Sequence, residues 1–245
     1  MTGEVIDFRE AKDKKEDRKP RISISLRNVS RSCRQEILRT HSYHAFWMGG
    51  VSPQQYAELL YAHLRLRQTL ESCFEDLGGL AKVCDVITQE HKIFDLKRYV
   101  TERRTKSAQL QQDIEELEQV LGVRSSKLPA KAQEMMDYIS RVKQVYSAAL
   151  LGILYMMEET VIYAGPGIAK VLDETLQLDG KATAYLRGGS NQKADLWEFR
   201  KSLDLITDFQ TQANIVIAST ITYRMYRELL DPHPVVSATR PGLFH

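Results

Sequence analysis

Arg27, Arg31 and Arg34 are spaced four and three residues apart, so on a helix their guanidinium groups share one face. An arginine stays protonated and has no lone pair to give a metal. Its chemistry is with anions, where the planar fork holds a carboxylate through two parallel hydrogen bonds. Metal chemistry falls to the histidines. His41 lies seven residues past Arg34, which on an unbroken helix returns it to the same face, about 10 Å further along the axis at 1.5 Å per residue. His44 is almost one turn beyond. His63 sits on the inward stripe of the following helix with Tyr56, Leu59, Leu66 and Leu70; the default role there is a core histidine hydrogen-bonded to a neighbour. His91, His233 and His245 look peripheral. Glu158, Glu159 and Thr160 close the most apolar stretch of the chain, where they either order a polar group in a cavity or are satisfied locally.

The elements that must position these groups are helical. Apolar residues recur at three and four, and period-two alternation is nearly absent. Residues 1–22 form a charged lead with little to bury and are expected to be disordered; residues 23–231 form one all-α domain; residues 232–245 are a Pro-containing tail. Helix one is expected from Ile24 to Met48, ending at Gly49-Gly50. Ser52-Pro53 caps helix two. A third helix is expected near Leu77–His91, and a long one from Leu96 to Leu121 with Tyr99, Leu110, Ile114 and Leu117 on one side. Another starts at Ser126–Pro129 and runs into the apolar "YSAALLGILYMM", a bundle-centre segment. Gly165-Pro166-Gly167 is expected to interrupt or kink it, before a short helix Ile168–Leu176, a loop with Gly188-Gly189, and a last helical region Leu196–Leu230.

Composition bounds the function. With 34 basic and 32 acidic residues the net charge is +2, so no general basic field favours nucleic acid or a membrane surface; any anion site is local. The three cysteines, Cys33, Cys73 and Cys84, show no CxxC and no ligand spacing. That sparse set, without a signal peptide, points to a reducing cytoplasm. The apolar run Tyr146–Met157 is too short to span a bilayer before Glu158-Glu159 stops it.

The stretch "LRNVSRSCR" resembles the "LRxxTKxxH" of the heme oxygenase first helix, with Leu26, Arg27, Ser30 and Arg31 in place and Arg34 where that family has its iron-binding histidine. Phe46, Gly49, Tyr56 and Glu71 are similar to its "FxxGxxxxxxY…E"; Leu110, Asp113, Ile114, Leu117 and Gly122 resemble its "LxxDLxxLxG". "LGILYMMEE" and "YLRGG…LWEFRKSLD" look like segments of the bacteriophytochrome-linked branch. The resemblance covers residues 24–230 in order and implies an all-α, heme-oxygenase-like helical bundle that grips heme or another tetrapyrrole between the first and the kinked central helix.

It further implies that Arg27, Arg31 and Arg34 face propionates, with Arg200 and Lys201 as a second clamp. Gly165 and Gly167 would restore the central-helix kink, and Glu159 or Thr160 would order a water. An active enzyme would recruit His63 or His41 to iron and take electrons from a donor protein, opening heme with dioxygen to biliverdin, iron and carbon monoxide. Two alternatives stay open. One is a non-catalytic relative that binds a porphyrin, a bilin or a protein. The other is a diiron oxidase or thiaminase-like member of the same architecture, with "HSYHAFWMGG" led by His41 and Glu71, Glu75, Glu158, Asp204 and Asp208 as carboxylates; it lacks an ExxH motif.

Overall fold

The computed structural model describes residues 21–77, 106–189 and 191–231. Residues 1–20 of the charged lead, the tail, Cys84, Tyr99, His91, His233, His245 and the expected third helix beyond Leu77 lie outside these residues; the lead's last residue, Ile22, is buried in the first helix rather than disordered. Among the described residues every regular element is a helix.

Helix α1, Ile22–Ile37, buries Ile22, Leu26, Ser30 and Ile37, one residue per turn or two along a single face. The helix expected to continue to Met48 stops here. Thr40 adopts extended backbone, its hydroxyl donates to the Ile37 carbonyl at 2.8 Å and accepts from the Tyr43 amide at 3.3 Å, and α2, His41–Trp47, starts anew. Threonine competes for backbone groups in this way wherever a chain can turn. Helix α3, Pro53–Asp76, opens with the Ser52/Gln55 capping box and Pro53 in its first turn.

After α4, Lys106–Leu121, and α5, Ala130–Val145, the chain does not run straight into the apolar segment. Tyr146 takes φ −147° and ψ 80°, and a 3-10 turn, Ser147–Ala149, leads into α6, Leu150–Leu176. The expected interruption at Gly165-Pro166-Gly167 does not occur; α6 carries Pro166 inside it. By length and hydropathy this segment would pass for a membrane span, yet 72% of its apolar window is buried in the bundle. Helix α7, Ala184–Arg187, is one turn. The expected final helix divides into α8, Gln192–Leu203, and α9, Phe209–Leu230, because Asp208 takes extended backbone and its carboxylate accepts the Thr211 amide at 2.7 Å.

Helix α6 is the axis of the bundle, with α9, α7, α8 and α2 packed around it; α9 also lies along α1, and α3 lies against α4 and α5. Two apolar clusters meet along α6. One gathers Leu26, Leu66, Met156, Phe199 and Tyr223, the other Phe46, Tyr56, Leu60, Leu110, Val161 and Leu172. The α6/α9 contact depends on Gly152, where a Cβ would overlap the Ile215 carbonyl.

Candidate functional site

Between α1, α2, α3, α6, α7 and α9 lies an apolar cavity of about 70 Å³. Arg34 and Leu38 stand on its α1 side, Phe46 and Tyr56 beneath, and Thr160, Val161 and Gly165 along α6. Among the described residues Arg34 is the one cation in its wall, with 36% of the side chain exposed. Its guanidinium pairs with Glu159 at 3.4 Å and lies over the Tyr163 ring, 4.8 Å from the centroid.

Glu159 is 1% exposed and would be costly to bury alone. It accepts hydrogen bonds from Ser30 at 2.8 Å and Tyr223 at 2.7 Å in addition to the Arg34 contact. One carboxylate on α6 therefore ties down both α1 and α9. Burial, followed by the Glu159 charge, pushes the Tyr223 phenol well above its ordinary pKa, so it remains a donor.

The far wall holds His63, 6% exposed. Its Nδ1 lies 3.2 Å from the Tyr185 hydroxyl and its Nε2 3.0 Å from that of Tyr226, both rings meeting it edge-on. Burial, then the positive charge of Arg67, brings the His63 pKa down to about 3, so the imidazole is neutral. Arg67, one turn along α3, donates from Nη1 to Glu158 at 2.6 Å and from Nε to the Tyr185 hydroxyl at 3.3 Å. Tyr185 is fixed in turn by Asp113, whose two oxygens accept the Ala184 and Tyr185 amides at 2.9 Å each. Burial raises the Asp113 pKa to about 6 despite those donors.

Arg67, Tyr185, Tyr223 and Tyr226 were not singled out by sequence. The available signal was Arg67, a charge four residues past His63 on the same inward stripe.

The remaining expected residues separate. Arg27 and Arg31 are exposed and do not line the cavity. His41 is exposed in the first turn of α2; the break at Thr40 removes the heptad relation that would have placed it on the Arg34 face. Thr160 borders the cavity, but its hydroxyl donates to the Met156 sulfur at 3.4 Å. Gly165 lies against the Leu186 carbonyl and Gly167 against the Trp47 indole, so their missing side chains make room for protein. Arg200 lies over Tyr155 at 5.8 Å, and Lys201 over Trp197 at 3.1 Å.

Four of the five carboxylates named for a metal centre are engaged apart. Glu71 accepts from Ser107, Glu158 from Arg67, and Asp204 from the Ser23 amide and hydroxyl at 2.9 and 2.7 Å, while Asp208 caps α9. Among the described residues no group of three or more His, Cys, Asp and Glu could hold a metal ion. None of the described residues that line the cavity fits a histidine-ligated heme iron either: His63 has both ring nitrogens engaged by phenols, and Arg34 has no lone pair.

The family model for heme oxygenase matches residues 21–232. The chain belongs to the heme oxygenase family. Among solved structures, the heme oxygenase of Leptospira interrogans superposes with a TM-score of 0.70 at 14% identity, covering 87% of this chain and 100% of that one. Heme oxygenase-1 of Synechocystis sp. PCC 6803, solved in complex with heme, gives 0.68 at 16% identity over 86% of this chain and 91% of its own. Heme oxygenase-2 of the same cyanobacterium, solved with heme and NO, gives 0.69 at 15% identity over 86% and 84%. At these identities the superpositions speak for a shared heme-oxygenase fold. No curated protein matches the chain by sequence.

Proposed function

We propose that this heme oxygenase family member binds a tetrapyrrole through apolar contacts and Arg34, without a histidine on iron, and does not cleave it oxidatively. The observation that carries this reading is the cavity wall itself. Its cation is an arginine at the mouth, and its histidine, His63, is neutral, buried and held on both sides by tyrosines. Apolar walls and a guanidinium suit a flat hydrophobic body bearing carboxylates. The cyanobacterial relatives, solved with heme, support the tetrapyrrole class. Arg34 takes the place of the family's proximal histidine on the alignment of "LRNVSRSCR".

A titration tests this. Purified protein is titrated with hemin and, separately, with metal-free protoporphyrin, following the absorption near the Soret band. Both ligands bind saturably, with dissociation constants within about tenfold of each other, because no iron–protein bond favours hemin; a difference of one decade is about 1.4 kcal/mol. Reductant and oxygen, with or without an electron-donor protein, then yield no biliverdin absorption. Biliverdin formation by the unaltered protein overturns the non-catalytic reading and restores the oxidative one. Arg34→His tightens hemin and changes its spectrum while leaving protoporphyrin unaffected. An unchanged hemin spectrum in that variant means that position 34 does not face the iron.

A further inference from the structure

The hydrogen bonds behind the cavity have a direction. Arg67 carries only donors, so its Nε–H must give to the Tyr185 oxygen. A phenol that accepts from a guanidinium is polarised to donate, and the acceptor within reach is His63 Nδ1, 3.2 Å away. The neutral imidazole has one ring proton, which this arrangement puts on Nε2, where it donates to the Tyr226 oxygen at 3.0 Å. Among the described residues the Tyr226 O–H then has no acceptor, although Tyr226 is 8% exposed and borders the cavity. The opposite polarity would leave, among the described residues, no acceptor for the proton of Tyr185, which is 1% exposed and already receives the guanidinium. Among the described residues a chain anchored at Glu158 thus ends at the cavity in an unspent donor on Tyr226; the chain's other unpartnered donor, Arg67 Nη2, belongs to a residue that does not line the cavity.

The required ligand has a carboxylate for Arg34 at the mouth, an apolar body, and an acceptor atom at its inner end. A porphyrin macrocycle offers only carbon and hydrogen at its non-propionate edges. A linear tetrapyrrole carries a lactam carbonyl on each terminal ring. Size favours the same class. About 70 Å³ is room for one small ring, well below the roughly 300 Å³ at which pockets enclose whole drug-sized ligands. A rigid macrocycle must part α1 from α6 to enter, whereas an open chain can insert one terminal ring.

We propose, resting on the tetrapyrrole reading above, that the cavity takes one end of a linear tetrapyrrole, with the Tyr226 hydroxyl donating to its terminal lactam oxygen and Arg34 holding a propionate.

Biliverdin and metal-free protoporphyrin are titrated against the unaltered protein and against Tyr226→Phe, with far-UV circular dichroism verifying that the variant is folded. The unaltered protein prefers biliverdin. Tyr226→Phe weakens biliverdin roughly tenfold, the loss of one hydrogen bond, and leaves protoporphyrin within twofold. Equal effects on both ligands, or none on biliverdin, overturn the assignment of Tyr226 while the tetrapyrrole reading stands. If neither ligand binds the unaltered protein, both readings fall. Independently of any variant, nitrogen-15 spectra of His63 show the neutral tautomer protonated at Nε2. Protonation at Nδ1 reverses the chain and overturns the proposal.

Discussion

His63 shows why the identity of a residue does not fix its chemistry. In sequence an inward-facing histidine reads by default as a core residue and only secondarily as a ligand. Two phenols and a guanidinium, supplied by α9, α7 and the next turn of α3, make it the first. No local pattern announces those partners, since Tyr185 and Tyr226 lie 122 and 163 residues away. Arg34 was more legible, because its lack of a lone pair is a property of the residue type alone. The buried imidazole also has a measurable signature. Its pKa falls to about 3 when folded against about 6.5 when unfolded. Its contribution to stability is therefore complete above pH 6.5 and is lost as pH falls, because the unfolded chain takes up the proton first. Asp113 works in the opposite sense: with a folded pKa raised to about 6, it makes the fold less stable as pH rises from about 4 to 6. Measured alone, the wild-type profile mixes the two. The difference in unfolding free energy between wild type and His63→Gln isolates His63, and it shrinks by about 1 kcal/mol per pH unit between pH 6 and 4 in urea titrations. A difference that is flat across that range means that His63 is not held neutral.

At the scale of elements, the sequence located most helices and misplaced the joints. Helical periodicity survives a sharp turn, as at Thr40 and at Tyr146, because each new helix presents its own apolar face. A short polar side chain that captures a backbone group leaves too weak a pattern to outvote that periodicity. At Gly165-Pro166-Gly167 the chain stays helical where an interruption was one of the two expectations. Residues that disfavour an isolated helix are tolerated in α6, where Gly165 meets the Leu186 carbonyl and tertiary packing outweighs intrinsic propensity. These joints matter to the site: the break at Thr40 is what carries His41 away from the face of Arg34, so that the guanidinium and not an imidazole stands on that side of the cavity. The closest approach of two helices can be tested directly. Gly152→Val places side-chain atoms against the Ile215 carbonyl and the Ser219 amide of α9, both backbone and unable to swing aside. Separating α6 from α9 costs about 1–3 kcal/mol, as overpacking generally does. It also strains the Tyr223–Glu159 contact one to two turns further along. Thermal unfolding of Gly152→Val should show a lowered midpoint, and an unaltered midpoint would mean that the helices do not touch there.

For the whole molecule, the cavity is bordered by six helices that converge only in three dimensions, which is why sequence could name the fold before it could name the site. The order of the family's motifs is preserved along the chain and was readable. The junction of the two apolar clusters, where Glu159 on α6 holds Ser30 and Arg34 of α1 and Tyr223 of α9, was not. That junction makes ligand binding and the mobility of α1 two aspects of one equilibrium. A ligand that engages Arg34 and fills the cavity binds only the folded protein, so at a hundred times its dissociation constant it adds about 2.7 kcal/mol to stability. The gain has a location. Helix α1 touches α6 in this region through side chains, and its amides should exchange more readily than those of α6, which is buried along most of its length. Hydrogen exchange followed by mass spectrometry, with and without biliverdin, should show protection concentrated in the second half of α1, in α2 and around Tyr226 of α9. The surface of α5, which does not border the cavity, should change little. Stabilisation accompanied by protection mainly on α5 would mean that the ligand binds elsewhere and that the cleft between α1 and α6 is structural. Protection on α1 that survives Arg34→Ala unchanged would remove the guanidinium from the binding site while keeping the cavity.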